Sequence, residues 1–129
     1  MSSWSNFEEN ARMALEKELG VVLSSDKISI CGKYKSFDLV NLENKIVGDV
    51  KHYKITSGGN RPSAKFSILN EYAWIMQLLE KSDGSKWKKL FVIGEDLEML
   101  KKYIAEFNNW LGDIEFYYYS DKTGIKKIK

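Results

Sequence analysis

The sequence predicts an α/β domain in which helices cover both faces of a mixed central sheet. Three observations carry this expectation. Strand-like runs and helix-periodic segments follow one another in the order α-β-β-β-α-β-α-β. Several of the strand-like runs are apolar at both odd and even positions, which calls for cover on both sides. The chain of 129 residues is 43% hydrophobic, with one proline and no repeat, low-complexity run or linker-like stretch, so residues 1–129 read as a single domain around one core.

The elements justify themselves in turn. Residues 5–20, SNFEENARMALEKELG, place Phe7, Ala11, Ala14 and Leu15 on one helical face, with Ser5 or Asn6 as N-cap and Gly20 as stop. KISIC (27–31), KSFDLVNL (35–42) and NKIVGDVKHYK (44–54) read as strands, with Glu43-Asn44-Lys45 turning between the last two. After the polar loop KITSGGNRPS, Ser63 caps a helix with two apolar stripes. One holds Phe66, Leu69, Ala73 and Met76; the other holds Ile68, Tyr72, Ile75 and Leu79, so burial on more than one side is expected. LFVIG (90–94) is a short apolar run of the kind buried in sheets. DLEMLKKYIAEFNNWLG predicts a third helix with Leu97, Leu100, Ile104 and Phe107 inward, and DIEFYYYS predicts a closing strand.

Charge and cysteine usage narrow the classes. A net charge of +2, from 20 basic and 18 acidic residues, gives no bulk polycation, so any nucleic-acid surface must be local. Cys31 stands alone, which excludes an internal disulfide and a cysteine-based zinc cluster. The segment MSSWSNFEEN lacks a cationic region followed by an apolar one. The uncharged stretch around YAWIMQLL falls far short of the ~20 residues of a membrane helix. A cytoplasmic protein with no membrane partner is the expectation.

One stretch breaks the apolar pattern. Along 44–54, Val47, Asp49, Lys51 and Tyr53 share one strand face, and Ile46, Gly48, Val50 and His52 share the other. On the preceding strand Asp38, Val40 and Leu42 share a face, and folding about Asn44 sets Asp38 opposite Val50 or Lys51, within diagonal reach of Asp49. Two carboxylates and an ammonium would then cluster at one end of an apolar sheet. An acid-x-Lys triplet by itself is weak, and Glu43-Asn44-Lys45 is a second one in a turn. The competing reading is a structural Asp49–Lys51 ion pair, but burying one gains little stability.

An early helix carrying Phe7-Glu8, an Asp on a strand, Asp49-Val50-Lys51 on its hairpin partner, then a loop and a long helix together resemble the PD-(D/E)xK nuclease superfamily. This is the restriction-endonuclease-like fold of Holliday-junction-resolvase-like and Mrr-like enzymes. The resemblance runs from about Phe7 to Ser120. It implies an αβββαβ core, here with one extra helix and strand. Asp38 matches the first acid, Asp49 the second, Lys51 the lysine and Glu8 the acid on the first helix; Phe37 stands where the name-giving proline would. The resemblance further implies Mg²⁺ or Mn²⁺ held by Asp38, Asp49, the Val50 carbonyl and Glu8, with Lys51 positioning or helping to deprotonate the attacking water. That donor set suits a hard cation, which stabilises phosphate charge and lowers the pKa of water.

Other residues have two readings each. Glu8 also suits a helix's first turn as a plain acid. His52 alternates away from Asp49 and reads as structural. Lys54, Arg61 and Lys65 flank Gly58-Gly59 before a helix N-terminus and would suit DNA phosphates, or form a solvated basic loop. Tyr117, Tyr118 and Tyr119 read as core packing or a dimer contact rather than a base-stacking platform. The expected function is a metal-dependent endonuclease hydrolysing DNA phosphodiester bonds, working as a homodimer to cut two strands. A catalytically lapsed nuclease fold that binds nucleic acid or a protein partner is one alternative, and an unrelated α/β domain with a salt bridge is another.

Overall fold

In the computed structural model, which describes residues 6–53 and 63–129, the chain forms three helices and six strands. They run α1 (Asn6–Leu19), β1 (Ser24–Ile30), β2 (Lys33–Asn41), β3 (Ile46–Tyr53), α2 (Ser63–Asp83), β4 (Lys88–Glu95), α3 (Leu97–Leu111), β5 (Glu115–Ser120) and β6 (Gly124–Lys127). The strands make one mixed sheet in sequence order, β1-β2-β3-β4-β5-β6. β2 is antiparallel to both β1 and β3, whereas β3, β4 and β5 run parallel; β6 returns antiparallel to β5. The expected α/β class with a mixed sheet is what the chain forms. Among the described residues, no helix is long and apolar enough to cross a membrane.

The core has two layers divided by the sheet. On one side α2 and α3 bury Phe66, Leu69, Met76 and Tyr103 against Phe37, Val47, Phe91, Ile93 and Phe116. On the other, α1 buries Ala11 and Leu15 against Leu39, Ile46, Val50, Leu90 and Val92. Val47 belongs to the first layer and Ile46 and Val50 to the second, as strand alternation requires. β4 is covered on both faces, which is why it reads as a continuous apolar run. Gly94 is buried there because Phe7 of α1 lies directly on it. A Cβ at this position would fall 1.9 Å from the Phe7 ring.

Several boundaries differ from the sequence expectation. β1 begins at Ser24 and ends at Ile30, and Cys31 lies outside it. Cys31 and Gly32 form a two-residue turn between the paired Ile30 and Lys33, with φ of 50° and 84°, the left-handed pair that matches hairpin twist. The predicted turn at Glu43-Asn44-Lys45 is present, tightened by the Asn41 side chain, which accepts from the Asn44 amide at 2.8 Å. Leu42 is exposed in that turn instead of sharing a strand face with Val40. In α2 the second stripe is shallower than expected, since Ile68 is exposed. In α3 the buried positions are Met99, Leu100, Tyr103 and Leu111, while Ile104 and Phe107 pack only partly. β6 has no counterpart in the sequence expectation, so the chain carries one helix and two strands beyond α1–β4, not one of each. GIKK is short and basic, and it pairs only because β5 offers an edge.

Lys89 is the other departure. The apolar run in the sequence starts at Leu90, but β4 begins at Lys88 and takes Lys89 with it, 2% exposed. Its ammonium is held by Glu80 of α2 at 2.6 Å and Asp113 at 2.7 Å. A buried ammonium needs partners of this kind.

Candidate functional site

The site grows from an irregularity in β2. Between the pairs Ser24↔Val40 and Asp26↔Phe37, β1 advances two residues while β2 advances three. Asp38 and Leu39 therefore face Ser25 together, in a β-bulge. The bulge breaks alternation, so Phe37 and Val40 enter the α2/α3 layer while Leu39 enters the α1 layer. On its other edge β2 pairs with β3 through Asn41↔Ile46, Val40↔Val47 and Leu39↔Gly48. Asp38 and Asp49 come next. This corrects the expected register, in which Asp38 faced Val50 or Lys51.

At this step carboxylates replace the backbone ladder. Asp49 Oδ1 accepts from the Asp38 amide at 2.8 Å, and Asp38 Oδ2 accepts from the Val50 amide at 3.1 Å. Each acid clasps the opposite strand. Asp49 Oδ2 meets Lys51 Nζ at 3.1 Å. Asp49 sits in the third of six strands and is 2% exposed, whereas Asp38 and Lys51 are half-buried. Burial, followed by the negative charge of Asp38, pushes the Asp49 carboxyl from 3.8 up to about 7; the Lys51 ammonium and the Asp38 amide only partly oppose this.

Donor chemistry here suits a hard cation. Asp49 meets the Lys51 ammonium, but Asp38 meets no ammonium among the described residues, which leaves negative charge in a poorly hydrated place. Asp38 Oδ1 accepts no hydrogen bond among the described residues, and every carboxylate oxygen has a second lone pair. Mg²⁺ and Mn²⁺ take one or two carboxylates and complete their shells with water or phosphate oxygens.

The remaining expected residues fall into place unevenly. The Val50 amide fixes Asp38, and the Val50 side chain packs under α1. Glu8 lies half-buried in the first turn of α1, on the helix covering the opposite sheet face. Among the described residues no third His, Cys, Asp or Glu gathers with Asp38 and Asp49. His52 points to the α1 side, as alternation predicts, stacks on Phe7 at 4.0 Å between ring centroids and meets Glu95 at 3.3 Å. Lys65 lies half-buried in the first turn of α2; Lys54 and Arg61 lie outside the described residues. Tyr117 and Tyr119 are buried under α1.

Two residues that sequence reading left out complete the surroundings. Tyr72 of α2 lies with its ring under Lys51 Nζ, 4.2 Å from the centroid, and under Lys35 Nζ of β2, 4.3 Å away. The sequence pattern places Tyr72 only in an apolar stripe. Its polar surroundings show no periodic signal, but Lys35 lies two residues before Phe37 and so on the α2 face.

No known protein family, curated protein or solved structure matches the chain.

Proposed function

We propose that this protein is a metal-dependent endonuclease hydrolysing DNA phosphodiester bonds on a restriction-endonuclease-like αβββαβ core, α1 through β4. The observation that carries the reading is the reciprocal clasp of Asp38 and Asp49 across β2 and β3, with Lys51 two residues further on. A structural Asp49–Lys51 ion pair would account for the 3.1 Å contact alone. It leaves unexplained why a second carboxylate is drawn into the same desolvated place and raises the Asp49 pKa. The element order and the mixed sheet covered on both faces support the same reading.

Asp38 and Asp49 would hold Mg²⁺ or Mn²⁺, with the Val50 carbonyl as the further ligand the family resemblance implies; Glu8, expected in the same set, sits on α1 across the sheet and does not gather with them among the described residues. The bound cation would supply Lewis-acid stabilisation of phosphate charge and a lowered pKa for the attacking water. The protein's own groups do the positioning. The Val50 amide fixes the Asp38 carboxylate, the Asp38 amide fixes that of Asp49, and Asp49 with the Tyr72 ring holds the Lys51 ammonium. Lys51 is thereby set to orient the water and to contact the phosphate under attack. Lys65, with Lys54 and Arg61, would contact neighbouring phosphates, and two copies would be needed to cut both strands.

The test is a cleavage assay on linear, supercoiled and four-way-junction DNA with Mg²⁺, with Mn²⁺ and with EDTA. Metal-dependent cutting that vanishes in Asp49→Asn is the expected result. Binding without cutting would identify a lapsed nuclease fold. Neither binding nor cutting, with no metal effect on melting, would overturn the proposal.

A further inference from the structure

Lys35 is not explained by a two-carboxylate site. Its backbone sits in β2 opposite Ile28, and its side chain passes half-buried along the α2 face beside Phe37. Its ammonium has no carboxylate partner among the described residues. What holds it is the face of Tyr72, at 4.3 Å, and the same ring holds Lys51 at 4.2 Å. The two Nζ atoms are thus no farther apart than those two distances laid end to end. Asp49 compensates one of them, so the second charge stands beside the first with only an aromatic face in support.

Two ammonium groups near one ring repel each other, and Asp49 neutralises only Lys51, so an anion that meets both relieves the repulsion. Neither carboxylate of the site meets Lys35: Asp38 and Asp49 clasp each other's strands and Asp49 holds Lys51, so the anion that answers Lys35 comes from outside. Lys51 and Lys35 come from adjacent strands and converge from the side on which Tyr72 lies. A chain of phosphodiesters presents oxygens at intervals that two such arms can grip, whereas a single small carboxylate would satisfy one of them.

We propose that Lys35, seated on Tyr72, is a second phosphate-binding arm of this site, gripping the nucleic-acid backbone beside the phosphate that Lys51 contacts. Tyr72 is a positioning residue that acts through both ammoniums. The inference rests on the nuclease reading for the identity of the polyanion. It goes beyond that reading in giving the backbone a contact that requires no metal and in choosing the strand side on which the DNA lies.

The experiment measures binding of the full chain to a fluorescein-labelled mixed-sequence duplex and to a labelled four-way junction, in EDTA, across a series of NaCl concentrations. Lys35→Met keeps the packed stem and removes the charge. It should weaken binding by on the order of tenfold at low salt and reduce the slope of log K against log salt by about one. Lys35→Arg should retain both values. Tyr72→Phe should bind as wild type does, and Tyr72→Leu should lose affinity in the manner of Lys35→Met, an ordering that a hydroxyl contact would not give. Lys35→Gln serves if Lys35→Met does not fold. Wild type that cuts DNA while Lys35→Met binds with unchanged affinity and slope would overturn this inference and leave the nuclease intact. Lys35-dependent binding without any cutting would support the inference and remove the catalysis. Wild type that binds neither probe would overturn both.

Discussion

Asp49→Asn should make the protein more stable in alkaline solution and less stable in acid. In the fold the Asp49 carboxyl titrates at about 7 instead of 3.8. The folded chain therefore holds a proton that the unfolded chain releases between those values. Stability contributed by this group is present below pH 4 and is lost as pH rises through 7. At about 1.4 kcal/mol per pH unit, the ionised form costs roughly 4 kcal/mol by pH 8. Asparagine keeps Oδ1 as acceptor for the Asp38 amide, but it turns an NH₂ towards Lys51 Nζ, where the carboxylate stood at 3.1 Å. That donor-to-donor contact costs about 1–2 kcal/mol. The variant should thus gain about 2–3 kcal/mol at pH 8 and lose about 1–2 kcal/mol at pH 4. For a chain of this length the gain is a rise in Tm of roughly 8 °C. Circular-dichroism melts of both proteins from pH 4 to 8 measure it, and taking the difference cancels the other titrating groups. Mg²⁺ at about a hundred times its Kd should add roughly 2.7 kcal/mol to wild type and almost nothing to Asp49→Asn. If the variant melts below wild type at every pH and Mg²⁺ never moves the wild-type curve, Asp49 and Lys51 are a structural ion pair and the metal site is withdrawn.

The other predictions probe the neighbours of this pair. Lys51→Ala strips the buried Asp49 carboxylate of its cation, so it should melt about 3 kcal/mol below wild type at pH 8. It should cut no DNA yet still be stabilised by Mg²⁺ through Asp38 and Asp49, measurable by metal-dependent melts. Lys89→Ala leaves Glu80 and Asp113 without their shared ammonium. It should cost about 3 kcal/mol in chemical denaturation while the Mg²⁺-induced rise in Tm persists. Replacing Lys54, Arg61 and Lys65 together by Ala should weaken DNA binding about equally across sequences and flatten its salt dependence; unchanged binding at matched salt would remove that segment from the DNA surface.

What the sequence determined by itself was local in origin. Helical spacing in α1 and α2 and the unbroken apolar run of β4 announce their elements, because each pattern repeats within a few residues. Alternation also assigned Asp49 and Lys51 to one face of β3 and His52 to the other, and the structure keeps that division, with Lys51 on Tyr72 and His52 on Phe7. Asp38, Asp49 and Lys51 stood out because charges interrupted apolar strands.

The tertiary structure decided whatever depended on pairing. A bulge at Asp38 exists only in the register of β2 against β1, and it is the bulge that turns Asp38 to the Val50 amide. Lys89 could not be read as buried, because the Glu80 and Asp113 that permit it come from other elements of the chain. Nothing in GIKK marks a strand until β5 presents an open edge. The convergence of Lys35 and Lys51 on Tyr72 joins two strands and a helix. Sequence spacing carries no record of it, because the distance between those side chains is set by how α2 packs on the sheet and not by any one segment's own period.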